Sequence, residues 1–108
     1  MWIASTNGFI SIVQHYDQPD TLVVRARVVQ DLQSIFDNKR ILETKEADYR
    51  YRVLVKKQEM AGIIVKMIKD IDYPNFKNQI AIHPDQKDKL HAYHEIWEVM
   101  ADYASQTK

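Results

Sequence analysis

Leu22-Val-Val-Arg-Ala-Arg-Val-Val-Gln-Asp-Leu-Gln-Ser-Ile-Phe36 runs from a β-branched, extended segment with alternating arginines directly into an amphipathic helix. Tyr49-Arg-Tyr-Arg-Val-Leu-Val-Lys-Lys-Gln-Glu-Met-Ala-Gly-Ile-Ile64 repeats the arrangement. β-branched and aromatic residues with a period of two favour a strand. Leu32, Ile35 and Phe36 have the i, i+3, i+4 spacing of a buried helical stripe, as do Met60, Ile63, Ile64, Met67, Ile68 and Ile71. A strand feeding a helix, used twice, is the skeleton from which the rest of the chain is read.

Working outward, Asn7-Gly8 marks a turn, so Met1–Ser5 reads as a short strand of its own and Phe9–Gln14 as the next. Tyr16–Asp20 is a turn containing Pro19, which makes Leu22–Val28 the hairpin partner of Phe9–Gln14. Val29–Asp37 is a short helix. Ile41–Lys45 and Tyr49–Val55 form a second hairpin around Ala47-Asp48, and Lys57–Ile71 is the strongest helix. Pro74 breaks the pattern, and Asn78–Pro84 is read as short extended or loop structure. Asp85 is placed as the N-cap of a last helix, Gln86–Ala104, with acids in its first turn. Ser105–Lys108 is expected to fray. The chain is then ββαββα plus a C-terminal helix. Moving the first strand to the end gives βαββαβ, so the expected fold is α+β: a four-stranded antiparallel sheet with helices on one face, a permuted ferredoxin-like plait.

A length of 108 residues fits one domain, spanning 1–108. Hydrophobic residues at 45% and charged residues at 28% suit a soluble globular chain with an ordinary core. The absence of cysteine excludes disulfides, thiolate zinc sites and a cysteine nucleophile, and fits a reducing cytoplasm. No apolar run approaches the roughly 20 residues of a membrane span, and Met1–Ser5 lacks the features of a signal peptide. The chain is therefore expected in the cytoplasm, away from membranes. A net charge of zero gives no general attraction to nucleic acid. Two glycines allow neither a phosphate-cradling loop nor a dinucleotide fingerprint, and no Gly-x-Ser-x-Gly elbow occurs. These absences argue against an enzyme, and no cofactor is expected.

Two surfaces remain. Side chains alternate across a strand. Arg25 and Arg27 therefore share one face, opposite Val24, Ala26 and Val28, and Arg50 and Arg52 share one face, opposite Tyr49, Tyr51, Val53 and Val55. If the two strands are neighbours, four guanidinium groups lie on the open sheet face and suit a phosphate backbone or an acidic protein surface. Pairing with Glu43, Glu46 or Asp48 would instead make this an ordinary solvated face. By the same parity Tyr49 and Tyr51 point away, leaving Phe9 as the one aromatic able to join the arginines. The last helix has an apolar arc wider than one buried stripe. It is read either as packing on two neighbours or as presenting Tyr93, Trp97, Met100 and Tyr103 to another chain, most simply a second copy.

His91 and His94 stand three apart, a spacing compatible with metal, with Glu95 or His83 as a third ligand; no His-Glu-x-x-His pattern supports it. Asp70, Asp72 and Asn75 lack the glycine and terminal glutamate of a calcium loop. Metal sites are accordingly not expected.

Asp48-Tyr-Arg-Tyr-Arg52, Asp70-Ile-Asp-Tyr-Pro-Asn-Phe-Lys77 and His91-Ala-Tyr-His-Glu-Ile-Trp97 resemble segments of a group of small bacterial and phage-associated proteins without assigned activity. These begin with a similar Trp-Ile segment and carry Val-Arg-Ala-Arg strands; the likeness covers nearly the whole chain. It implies no catalytic residue, and it implies that Asp72–Lys77 is a defined feature. Physically that segment reads as a rigid turn with Tyr73 and Phe76 under the C-terminal helix, or as a surface recognition loop. The expected function is a small protein-interaction module, such as a phage-type inhibitor or adaptor. The alternatives are a nucleic-acid binder using the arginine face, and an enzyme or metal protein using the C-terminal histidines.

Overall fold

In the computed structural model, which describes residues 1–107, the chain divides into two compact units, Met1–Asp72 and Tyr73–Lys108. The first unit is an open antiparallel sheet with helices on one face. Its strands are β1 (Trp2–Ser5), β2 (Gly8–Gln14), β3 (Thr21–Ala26), β4 (Leu42–Glu43) and β5 (Tyr51–Lys56), in the order β1-β2-β3-β5-β4. The count is five, not four, because Trp2–Ser5 pairs along β2 and adds an edge strand. The Met1 ammonium anchors that edge by donating to the Ile12 carbonyl at 2.9 Å.

The two faces of this sheet differ because the register aligns the alternation of neighbouring strands. Ile12 pairs with Val24, and Val24 with Val53, so Ile10, Ile12, Val24, Ala26, Val53 and Val55 form one apolar surface. Two helices cover it. From α1 (Gln30–Gln33) and the turn after it come Leu32 and Phe36; from α2 (Lys57–Lys69) comes Met60. The expected stripe in Val29–Asp37 is present, but the helix is one turn long. Ile35 N–H bonds back to the Leu32 carbonyl in a tighter i→i+3 turn, and the Asp37 carboxylate caps the following 3₁₀ turn, Asn38–Arg40.

A buried aspartate joins α1 to the first hairpin. Asp31, 2% exposed, accepts the Phe9 N–H at 3.2 Å, and the Ser34 hydroxyl donates to the Asn7 carbonyl at 2.6 Å. Gly8 makes this approach possible. Its φ is +140°, and a Cβ there would lie 2.6 Å from Asp31 side-chain atoms.

The strong periodicity of Lys57–Ile71 becomes α2, with Lys66 and Lys69 in its last turn, where cations favour the helix dipole. Arg40 grips Glu59 at the other end through its two terminal guanidinium nitrogens, with Nη2 at 3.0 Å from Oε1, and Nη2 also donates to the Leu54 carbonyl at 3.1 Å. That hydrogen-bonded guanidinium holds the Glu59 carboxyl below its ordinary range. A depressed folded pKa means the stabilisation is complete above the unfolded value and disappears as pH falls through the folded one. Because the pair is solvent-screened, Glu59→Gln should cost only about 0.5 kcal/mol at pH 7. Urea midpoints of the two proteins should converge in acid; a gap independent of pH would contradict the assignment.

The second unit contains α3 (Phe76–Ile82), a 3₁₀ turn at Lys87–Lys89 and α4 (Leu90–Gln106). The helix at Phe76–Ile82 replaces the extended or loop structure expected over Asn78–Pro84. Asn75 caps it by accepting the Asn78 N–H at 2.9 Å, Ile80 is fully buried, and His83 turns extended before Pro84. Phe76 packs on Tyr93 of α4, ring centres 5.3 Å apart, and Tyr73 lies 6.4 Å from Phe76. Asp85 does not cap the last helix. The N–H groups of Gln86 and Lys87 bond to the His83 carbonyl, and the resulting tight turn delays the helix to Leu90. Ser105 and Gln106 continue α4 rather than fraying, while Lys108 lies outside the described residues. Among the described residues no helix is long and apolar enough to cross a membrane.

Candidate functional site: an arginine pair on the open sheet face

Opposite the core face, one row of side chains crosses all five strands. Trp2 pairs with Ser11, Ser11 with Arg25, Arg25 with Arg52, and Arg52 with Leu42. A second row is apolar, Val13 to Val23 to Leu54, and Phe9 lies beside Ala4 at the β1 edge. Both helices of this unit lie on the other face. Trp2, Val13, Leu42 and Leu54 are exposed, and Arg25 and Arg52 are half-buried among them.

Cross-strand neighbours of like charge repel. Arg25 and Arg52 occupy such a pair, and neither has a carboxylate partner among the described residues. What holds them is neutral. Arg25 Nη2 donates to Ser11 Oγ at 2.8 Å, and Arg52 Nη2 donates to the Tyr49 carbonyl at 3.2 Å. The Nε of each is buried without a hydrogen-bond partner. The Arg25 guanidinium lies over the Tyr49 ring at 4.4 Å, and Arg27 lies over the same ring at 4.1 Å. Cation–π contact disperses some charge but leaves in-plane N–H groups able to donate.

Tyr49 was expected to point away from the arginines. It lies against two of them because β5 begins at Tyr51, so strand parity does not reach Tyr49. For the same reason Arg27, beyond the end of β3, and Arg50, before β5, leave the central row. Arg27 pairs with Asp48 at 3.1 Å, and Arg50 with Glu43 at 2.6 Å. Burial works against the charge on Arg27, but the Tyr49 and Asp48 contacts outweigh it and raise its pKa; the Glu43 hydrogen bond raises that of Arg50. Two of the four arginines are thus neutralised as a solvated face would have them, and two are not. Phe9 joins the face as parity predicts. Ser11 and Trp2 were not singled out by the sequence, because their place beside Arg25 depends on pairing between distant strands.

In the second unit the expected aromatic flank separates. Tyr93 is buried at 5%, whereas Trp97, Met100 and Tyr103 are more than half exposed. Exposure alone names no occupant for that flank. His91 and His94 do not converge with a third ligand. Their Nε2 atoms bond to Glu95 at 2.8 Å and Glu98 at 2.9 Å, and the backbone N–H of Asp85 donates to His83 Nδ1. Asp70 accepts from Lys66, and Asn75 is spent as a cap. Among the described residues no three histidine or acidic side chains are arranged to hold a metal ion.

Nothing among protein families, curated proteins or solved structures matches this chain.

Proposed function

We propose that the chain is a small protein-interaction module of the inhibitor or adaptor type, which docks through the sheet face bearing Arg25 and Arg52. Its partner is a cytoplasmic protein whose surface sets carboxylates among aliphatic side chains. The observation that carries this reading is the uncompensated guanidinium pair beside an apolar row. An incoming carboxylate relieves the repulsion and accepts from the remaining in-plane guanidinium N–H groups, while Val13, Val23, Leu42 and Leu54 supply apolar area. Aliphatic residues outnumber aromatics on this face, which favours a protein over stacked bases. The strand order β2-β3-β5-β4 is the order a permuted ferredoxin-like plait would need, with β1 added, and supports that finer description of the fold. The likeness to small bacterial and phage-associated proteins belongs to the same proposal.

A second reading, single-stranded nucleic acid, is favoured by one observation. Trp2 and Phe9, ring centres 6.2 Å apart, border the same face and offer π surfaces beside the cations.

The test is capture from host lysate with and without nuclease, using a photo-crosslinker at Leu54 and the charge-reversed Arg25→Glu/Arg52→Glu protein. The expected result is a stoichiometric protein that survives nuclease, crosslinks from Leu54 and is lost on reversal, with the circular dichroism spectrum unchanged. Reversal preserves a like-charge pair, so loss of capture is not explained by altered repulsion within the sheet. Capture that persists in the reversed protein refutes the assignment. Nucleic acid as the main ligand, with affinity falling steeply in salt, establishes the second reading instead.

A further inference from the structure

The face between α3 and α4 carries a feature independent of the arginine sheet. Lys77, Asn78 and Ala81 of α3 and Leu90, His91 and His94 of α4 enclose an open cleft of about 380 Å³. Each helix contributes at the i, i+1, i+4 spacing, which places its three side chains on one flank. The volume lies at the lower end of the range for small-molecule sites. No carboxylate lines the cleft; its polar wall consists of an ammonium, an amide and two imidazoles.

Lys77 is held in position. Its Nζ lies 3.2 Å from His94 Nδ1 and 4.4 Å from the centre of the Trp97 ring, and the His94 and Trp97 rings stack at 5.7 Å. Glu98 accepts from His94 Nε2, which assigns the imidazole proton to Nε2 and makes Nδ1 the acceptor for Lys77. That contact uses one ammonium hydrogen, and two remain to donate. Lys77 has no ion pair among the described residues. An oriented, half-buried cation with spare donors, on a wall without acids, is matched by an anion. Ala81 and Leu90 beside it suit an apolar group.

We propose that this cleft binds a small organic anion, with its carboxylate or phosphate on Lys77 and its apolar part against Ala81 and Leu90. Lys77 supplies the charge, His94 and Trp97 fix its direction, and Glu98 fixes His94.

The probes are benzoate and phenyl phosphate, titrated at constant ionic strength against chloride and followed by NMR of the Trp97 indole N–H and the His94 ring. Saturable shifts of both signals are expected, and the stronger probe identifies the headgroup. Lys77→Met should weaken binding about tenfold or more, the scale of one charge-assisted hydrogen bond. Ala81→Leu fills the cleft without altering its charge and should weaken binding independently, so a failure of the lysine variant to fold leaves the test intact. Shifts that rise linearly as they do with chloride overturn the proposal. So does equal affinity in Lys77→Met, or in Ala81→Leu where that is the variant that folds.

Discussion

Replacing Gly8 by alanine is expected to destabilise the Met1–Asp72 unit by about 3 kcal/mol or more, as the sum of two effects. The first is conformational: at φ +140° an L side chain is strained whatever the space around it. The second is steric and polar. The new Cβ would sit 2.6 Å from three atoms of Asp31, including its Cβ, and that side chain is itself buried. Moving Asp31 gives up its bond to the Phe9 N–H and lifts α1 from the hairpin. Gly62 provides the control, since a Cβ there meets nothing within 4 Å in the middle of α2. Gly62→Ala should stabilise by about 0.5–1 kcal/mol through reduced freedom of the unfolded chain and better helix propensity. Urea unfolding of both variants measures the contrast. A Gly8→Ala protein as stable as the parent would mean that α1 does not seat on the hairpin as described.

Leu32→Ala should have an effect of similar size, within the roughly 2–5 kcal/mol range for a buried leucine. Leu32 is fully buried and belongs to the cluster formed by Ile10, Val24, Val53 and Met60. The helix that carries it has a single turn, Gln30–Gln33, so it has almost no local stability to position another side chain in the cavity. The loss should therefore fall in the upper part of that range, enough to halve the stability of a typical small domain. Thermal and urea unfolding would report it. A loss below about 1 kcal/mol would show that the core closes over the missing methyl groups.

The contrast between these two positions illustrates what was legible. Leu32 stands in a helical stripe visible in the sequence, whereas the need for Gly8 is visible only once Asp31 is placed beside it. Similarly, the period of Lys57–Ile71 specifies α2 almost completely, because thirteen residues repeat one apolar face. Phe76–Ile82 gives no comparable signal. It has two turns, and its stability comes from the Asn75 cap, buried Ile80 and the Phe76–Tyr93 contact.

The candidate site divides along the same line. That Arg25 and Arg52 lie opposite Val24 and Val53 follows from alternation, which is local backbone geometry and is present in the sequence itself. The amphipathic helices, the hairpins and the absence of thiol chemistry were determined in the same way. Tertiary structure decided the rest: that Arg25 faces Arg52 in register, that Ser11 and Trp2 extend the row, and that Tyr49 leaves the strand to lie under two guanidinium groups. It also decided that Arg27 and Arg50 find carboxylates while their neighbours do not. Register and strand ends depend on contacts between distant segments, and a pattern with period two fixes which face a residue occupies without fixing which residue it will meet there.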